Sequence, residues 1–203
     1  RDASHPCVAV WVPFNESWGV PQVADDERQQ QLVRALYHLT KALDGTRLVV
    51  SNDGWEHTDS DLLTVHDYQN DAARLGAAYA DDAAVRRTVA GIGPGHRRIF
   101  VLPPEQTPDL VGAPVVVSEF GGVSSDPDPD SGSWGYRVVG SPAELHRQLR
   151  DLFQALNSSS AIAGWCYTQL TDTEQETNGL TDEKRVPKLP VADIRAMVRG
   201  RDS

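Results

Sequence analysis

The sequence predicts an α/β fold, a parallel sheet wrapped by helices, and three observations carry that prediction. Strand-like and helix-like patterns alternate from one end of the chain to the other. The strand-like segments are continuous apolar runs, as in strands covered on both faces. Polar side chains end nearly every one of them: Asn15-Glu16, Asn52-Asp53, His66-Asp67-Tyr68, Glu119 and Gln169. An open doubly wound sheet and a (β/α)8 barrel both fit, and in both the chemistry gathers at the carboxyl ends of the strands. A barrel accounts better for so many polar ends, because all of them converge on one pocket. Five strands, however, are too few to close one.

The first strand is the run Val8-Ala9-Val10-Trp11-Val12-Pro13-Phe14. Leu32, Ala35, Leu36, Leu39 and Leu43 then recur at helical spacing and predict a helix over residues 25–43. Asp25 and Asp26 fall in its first turn and Gly45 follows its end, as the helix dipole and caps prefer. Residues 47–51 and 62–66 read as short strands, and residues 71–91 as an alanine-rich helix closed by a glycine-rich stretch. Residues 98–111 read as a loop, because Pro103-Pro104 stops the apolar run before them. The clearest buried strand is residues 115–119. Residues 121–135, rich in Asp, Ser, Pro and Gly, read as a long loop. Ser141-Pro142-Ala143-Glu144 offers an N-cap, a proline at the first helical position and a capping-box glutamate, starting a helix that runs to Leu156. A last strand at residues 161–167 and a short helix at residues 190–199 complete the reading.

The 203 residues, 39% hydrophobic and 24% charged, suit one globular domain with a sizeable core. With 29 acidic against 19 basic residues the net charge is −10, which disfavours nucleic acid and anionic membranes as partners and favours a neutral substrate. No apolar run reaches the ~18 residues that span a membrane, and no leader is read at the start, so the cytoplasm is the favoured compartment, with secretion left open. Cys7 and Cys166 fall in or beside predicted core strands and read as buried thiols. The histidines show no paired metal-ligand spacing, so no metal and no cofactor is expected. The acidic run from Asp126 imitates the opening of a calcium loop, but Arg137 stands at the twelfth position; it reads as a solvated loop.

Glu16 and Glu119 are the informative residues. A carboxylate at the tip of a buried strand is costly unless it is paired or put to use. Two of them suggest the acid and the nucleophile of glycoside hydrolysis through a covalent intermediate. Trp18, Trp55, Trp134 and Trp165 offer faces on which a sugar could stack, whereas Trp11 reads as core.

Three segments, taken in order, resemble glycoside hydrolase family 2, which includes β-galactosidases, β-glucuronidases and β-mannosidases. His5-Pro6 followed by Trp11-Val12-Pro13-Phe14-Asn15-Glu16-Ser17-Trp18-Gly19 is similar to its acid/base segment. Val117-Ser118-Glu119-Phe120-Gly121-Gly122 resembles its nucleophile segment. Gly164-Trp165-Cys166-Tyr167-Thr168-Gln169-Leu170-Thr171-Asp172, with Glu174-Gln175-Glu176 and Asn178-Gly179-Leu180, is similar to its last strand and the following loop. The resemblance implies a partial (β/α)8 TIM barrel, strands four to eight with their helices, covering residues 1–203. The upstream barrel half and the family's β-sandwich domains would then be absent, and the chain's partners would be a carbohydrate, the remainder of its own barrel and a second copy of itself.

The resemblance also assigns roles. Glu16 would protonate the glycosidic oxygen and then deprotonate water, while Glu119 would attack the anomeric carbon. Asn15 would donate to the sugar 2-hydroxyl, Tyr68 would orient the nucleophile, and His66, Trp18, Trp165 and Gln169 would face the sugar. Glucuronidases of this family grip the sugar carboxylate with an Asn-x-Lys motif. The matching stretch here is Glu176-Thr177-Asn178, and Lys184 and Arg185 lie out of register. A neutral sugar such as β-galactose is therefore preferred over a glucuronide or mannoside. The alternative from another class is a carbohydrate-binding barrel remnant without turnover. For the single residues the plainer readings are an arginine pair for each glutamate, a turn cap for Asn15, a packed rim tyrosine for Tyr68 and a backbone-bonded histidine for His66.

Overall fold

The computed structural model describes residues 2–101, 112–125 and 132–200. The chain divides into two compact units. Unit 1 comprises residues 1–66, 88–118 and 162–164; unit 2 comprises residues 67–87, 119–161 and 165–203. The calcium-loop imitation at residues 126–131 and most of the predicted loop at 98–111 lie outside the described residues.

In unit 1 the predicted first strand is two short ones, β1 (Val10–Trp11) and β2 (Phe14–Asn15). Pro13, with no N–H to give a ladder, stands between them. They pair in parallel with β3 (Leu48–Val49) and β4 (Asn52–Asp53), in the registers Val10↔Leu48 and Phe14↔Asn52. Asp61 Oδ2 accepts the Val49 N–H (2.8 Å), a side chain standing where a longer ladder would have supplied a carbonyl. The crossover is helix α1 (Glu27–Leu43), capped by Asp26, whose side chain accepts the Arg28 N–H. Val20, Val23 and Val33 are fully buried together, with Phe14 and Val101 packed on them.

The helical spacing predicted α1, but the face it marked is not the face that docks. Leu32, Leu39 and Leu43 are 47%, 52% and 80% exposed, and Val33 is the buried residue of the helix. The docking contacts are polar: Arg34 donates to Asp59, and Tyr37 and Lys41 both donate to Asp61.

Strands β5 (Leu63–Asp67), β6 (Val115–Gly121) and β9 (Gly164–Thr168) form a sheet in the order β5-β6-β9, and each runs from unit 1 into unit 2. In unit 2 the predicted helix over 71–91 is two, α2 (Ala72–Ala78) and α3 (Asp82–Thr88). The break falls at Tyr79, which is wholly buried with its hydroxyl donating to Asp67 (2.9 Å), and Asp81 then caps the restart by accepting the Ala84 N–H. The predicted loop over 121–135 holds β7 (Val123–Ser124), which pairs in parallel with β8 (Arg137–Val138).

Helix α4 (Pro142–Asn157) starts as its sequence predicts on Ser141 and Pro142, although Glu144 reaches back to the Gly140 N–H, one residue earlier than a capping box. Leu145, Leu149, Leu152, Phe153 and Leu156 line its buried face. Helix α5 (Val191–Val198) ends the described fold.

The described residues therefore form short parallel pairs and one three-stranded sheet, an α/β arrangement distributed over four separate sheets rather than one barrel sheet. The cysteine expectation is corrected. Cys7 precedes β1 and Cys166 points away from the aromatic cluster that Trp165 and Tyr167 join, so both thiols are reduced and exposed.

Candidate active site

In unit 1 the site grows from the tips of β2 and β4. Pairing continues one step past the strands, where the Glu16 N–H donates to Asp53 O (3.0 Å). The chain then turns sharply, with Glu16 and Ser17 both in the left-handed region (φ +53° and +61°), which costs L-residues energy. A buried network holds the turn. The Ser17 N–H donates to Asn52 Oδ1 (2.9 Å), Asn52 Nδ2 donates to Ser17 Oγ (3.0 Å), and the Ser17 hydroxyl donates to Glu56 Oε2 (2.5 Å). Glu56 is 2% exposed, and Arg97 meets its charge with two parallel bonds of 2.9 Å. A fork of this kind fixes direction as well as charge.

The turn aims Glu16 at His66. Glu16 Oε1 lies 2.7 Å from His66 Nδ1, and His66 Nε2 lies 3.4 Å from Asp53 Oδ2. The imidazole is buried, with Trp55 edge-on to it at 5.5 Å. Gly54 makes room: its φ is +96°, and a Cβ there would sit 2.7 Å from the imidazole. Burial pushes the Asp53 carboxyl up. Hydrogen bonds from His66, Ser118 and Thr64 outweigh that and hold it down at about 2. Asp53 is thus a fixed negative charge behind the imidazole.

In unit 2 the Tyr68 hydroxyl donates to Glu119 Oε2 (2.5 Å). Burial, and then the bond to Glu119, push the phenol far above its ordinary range, so it remains a donor. The Tyr68 ring lies flat on Tyr136, with centroids 3.5 Å apart and planes 7° apart. Asn70 Nδ2 donates to the carbonyls of both tyrosines, at 3.0 and 3.3 Å. Asp67, next in the chain, is buried and has its pKa raised by that burial, while accepting from Tyr79 and from the Gln69 N–H.

The other sequence-predicted residues are placed as follows. Asn15 is exposed beside Asp53, and Trp18 is 77% exposed. The nitrogens of His66 face two carboxylates, which makes it a support for Glu16 rather than a sugar-facing group. Trp165 also departs from expectation: its indole N–H donates to Asn157 (3.2 Å) and its rings pack on Phe120 and Phe153, because strand alternation turns it toward α4. Trp11 is half-buried, donating to Asp44. Gln169 Nε2 is buried and meets no acceptor among the described residues. In the loop beyond, Lys188 donates to Asp172 and Thr177 O (2.7 Å each), and Asn178 donates to Glu176 (2.9 Å).

No protein-family model matches the sequence, and no curated protein matches it. Solved structures do. A GH2 β-galacturonidase from Eisenbergiella tayi bound to galacturonate matches with a TM-score of 0.64 at 16% identity, over 100% of this chain and 35% of its own. A β-glucuronidase from Bifidobacterium dentium complexed with coumarin-3-O-glucuronide matches at 0.61 and 17%, over 98% and 32%. A β-D-glucuronidase from Dictyoglomus thermophilum matches at 0.60 and 16%, over 98% and 33%. The likeness is one of fold, shared with a part of each of these enzymes. The chain spans about a third of their length.

Sequence reasoning missed Glu56, Arg97 and Tyr136. The polar run Asn52 to His57 at a strand end is a signal that could have exposed Glu56. Arg97 gives none, since its partner is 41 positions away.

Proposed function

We propose that this chain is the C-terminal half of the catalytic barrel of a retaining β-glycosidase, with β-galactosides as its substrates. One observation carries the reading. Of the two glutamates picked out by sequence, Glu16 directly follows β2 and Glu119 lies two residues before the end of β6 in a GH2-like fold, and each carboxylate meets a ring side chain, buried His66 on Glu16 and half-buried Tyr68 on Glu119.

In the mechanism, Glu119 attacks the anomeric carbon as Glu16 gives its proton to the departing glycosidic oxygen, leaving a glycosyl ester on Glu119. Glu16, now a carboxylate, takes a proton from water. That water cleaves the ester and regenerates both groups. The strained turn at Glu16-Ser17 aims the acid, and the Asp53–His66 pair backs it. Asn15 donates to the 2-hydroxyl, Trp18 lends its exposed face to the sugar, and Gln169 offers a buried amide to a hydroxyl. The chain's exposed α1 stripe of Leu32, Leu39 and Leu43 is the kind of surface that the remaining barrel would cover.

Azide separates the roles. With an aryl β-galactoside, full-length protein carrying Glu16→Ala should give the β-glycosyl azide, and protein carrying Glu119→Ala the α-glycosyl azide. Exchange of the two anomers would overturn the assignment. A mechanism-based fluoro-sugar should label Glu119, and a protein that binds the sugar without being labelled would be the non-catalytic remnant.

A second reading, uronide hydrolysis, is favoured by the names of the solved neighbours. Against it, Lys188 is engaged within its own loop and Asn178 is bonded to Glu176. Rates on matched aryl galactoside, mannoside and glucuronide decide between these sugars.

A further inference from the structure

We propose that Tyr136 is a positioning residue: its ring, laid flat on Tyr68, fixes the phenol that Tyr68 donates to Glu119, and with it the direction of that carboxylate. The inference rests on Glu119 being the nucleophile.

The stack is built from several sides. Gly122 has φ +62°, and a Cβ there would stand 2.5 Å from Tyr136 Cδ2 and 3.1 Å from Tyr68 Cδ1, so only glycine lets the rings approach. Gly122 O accepts the N–H of Arg137, the residue after Tyr136 (3.4 Å). Asn70 ties the carbonyls of both tyrosines together, and Gln148 of α4 donates to Asn70 O (2.6 Å). Trp134 meets Tyr136 edge-on at 5.6 Å, and its own backbone is held by Gln175 O (2.8 Å) and by the Thr177 N–H (3.1 Å).

Packing alone does not ask for this arrangement. Tyr136 is 47% exposed, so it contributes little to a core, yet its whole face is committed to one ring. That ring's hydroxyl bonds the carboxylate. A phenol free to swing between rotamers would let the carboxylate turn with it, and a nucleophile displaced by about 1 Å loses about 100-fold in rate.

The test is the rate at which a dinitrophenyl 2-deoxy-2-fluoro-β-galactoside esterifies Glu119 in the full-length protein, located by peptide mass. Tyr136→Leu should slow trapping by about 10- to 100-fold with an unchanged thermal midpoint. Tyr136→Phe, which keeps the stack, should stay within about threefold of the parent. In a Tyr68→Phe background the Tyr136→Leu effect should vanish, because the residue acts through the Tyr68 hydroxyl. Equal slowing in both backgrounds, or no slowing in either, would overturn the proposal. Gly122→Ala should reproduce the loss by pushing the rings apart, which keeps the test decisive if Tyr136→Leu fails to fold.

If the parent protein is labelled neither by this probe nor by the matching fluoro-mannoside and fluoro-glucuronide, the glycosidase reading fails. The positioning claim is then judged from 19F spectra of 3-fluorotyrosine protein. The Tyr68 signal, assigned by its loss in Tyr68→Phe, should broaden in Tyr136→Leu and stay sharp in Tyr136→Phe. A sharp signal in both sinks it.

Discussion

A carboxylate placed behind an imidazole ties Asp53 to the acid stability of the protein. Its ordinary value is 3.8, and the fold depresses it to about 2 against the upward push of burial. A depressed carboxyl stabilises the fold above its unfolded value and loses that contribution as pH falls through its folded value. The window is therefore pH 4 down to pH 2, and the contribution is about 2 kcal/mol. Urea denaturation across that range should show a fall that Asp53→Asn removes; an unchanged pH profile in the variant would refute the assignment. Asp53 was visible in the sequence as a strand-end polar residue, as were Glu16, His66, Tyr68 and Glu119. What could not be read was who answers whom. His66 was expected to face a sugar and lies between Glu16 and Asp53 instead. A side chain's direction depends on where the turn after the strand sends the chain, and Glu16-Ser17 turns through left-handed geometry that no local propensity announces.

Among the elements, helices were legible through their caps. Ser141 accepts an N–H at the start that the sequence marked, while Asp26, read in the first turn of α1, is its N-cap. Which face a helix buries was not. Three of the four leucines that revealed α1, Leu32, Leu39 and Leu43, are its exposed stripe, and salt bridges and a tyrosine hydroxyl dock the other side. The strands read at residues 8–14 and 47–51 are shorter in the structure, because apolar runs do not show where a proline or an acceptor side chain interrupts a ladder, whereas β6 runs past Glu119 to Gly121. The close approach of β4's end to β5 carries a direct prediction. Gly54→Ala would put a methyl against the His66 ring at φ +96°. It should cost about 2 kcal/mol or more of stability, read from urea denaturation. A variant as stable as the parent would mean that β4 and β5 have slack the structure does not suggest.

For the molecule as a whole, alternation of strand and helix gave the α/β class correctly, while the organisation into two compact units left no mark in composition, because the boundary passes through strands β5, β6 and β9 rather than a linker. The exposed leucines of α1 make a prediction at this scale. The 203 residues alone should self-associate at micromolar concentration in sedimentation velocity runs, and changing Leu39 and Leu43 to glutamate should shift the distribution toward monomer. A monodisperse parent would overturn it. The solvent-facing Cys7 and Cys166 bear on how such runs are done. Exposed thiols oxidise in air and would couple copies covalently, so the buffer needs a reductant for non-covalent association to be read. The same pair has a constructive use. One thiol belongs to each unit, so a maleimide probe on each natural cysteine would report on its own unit, with no residue replaced.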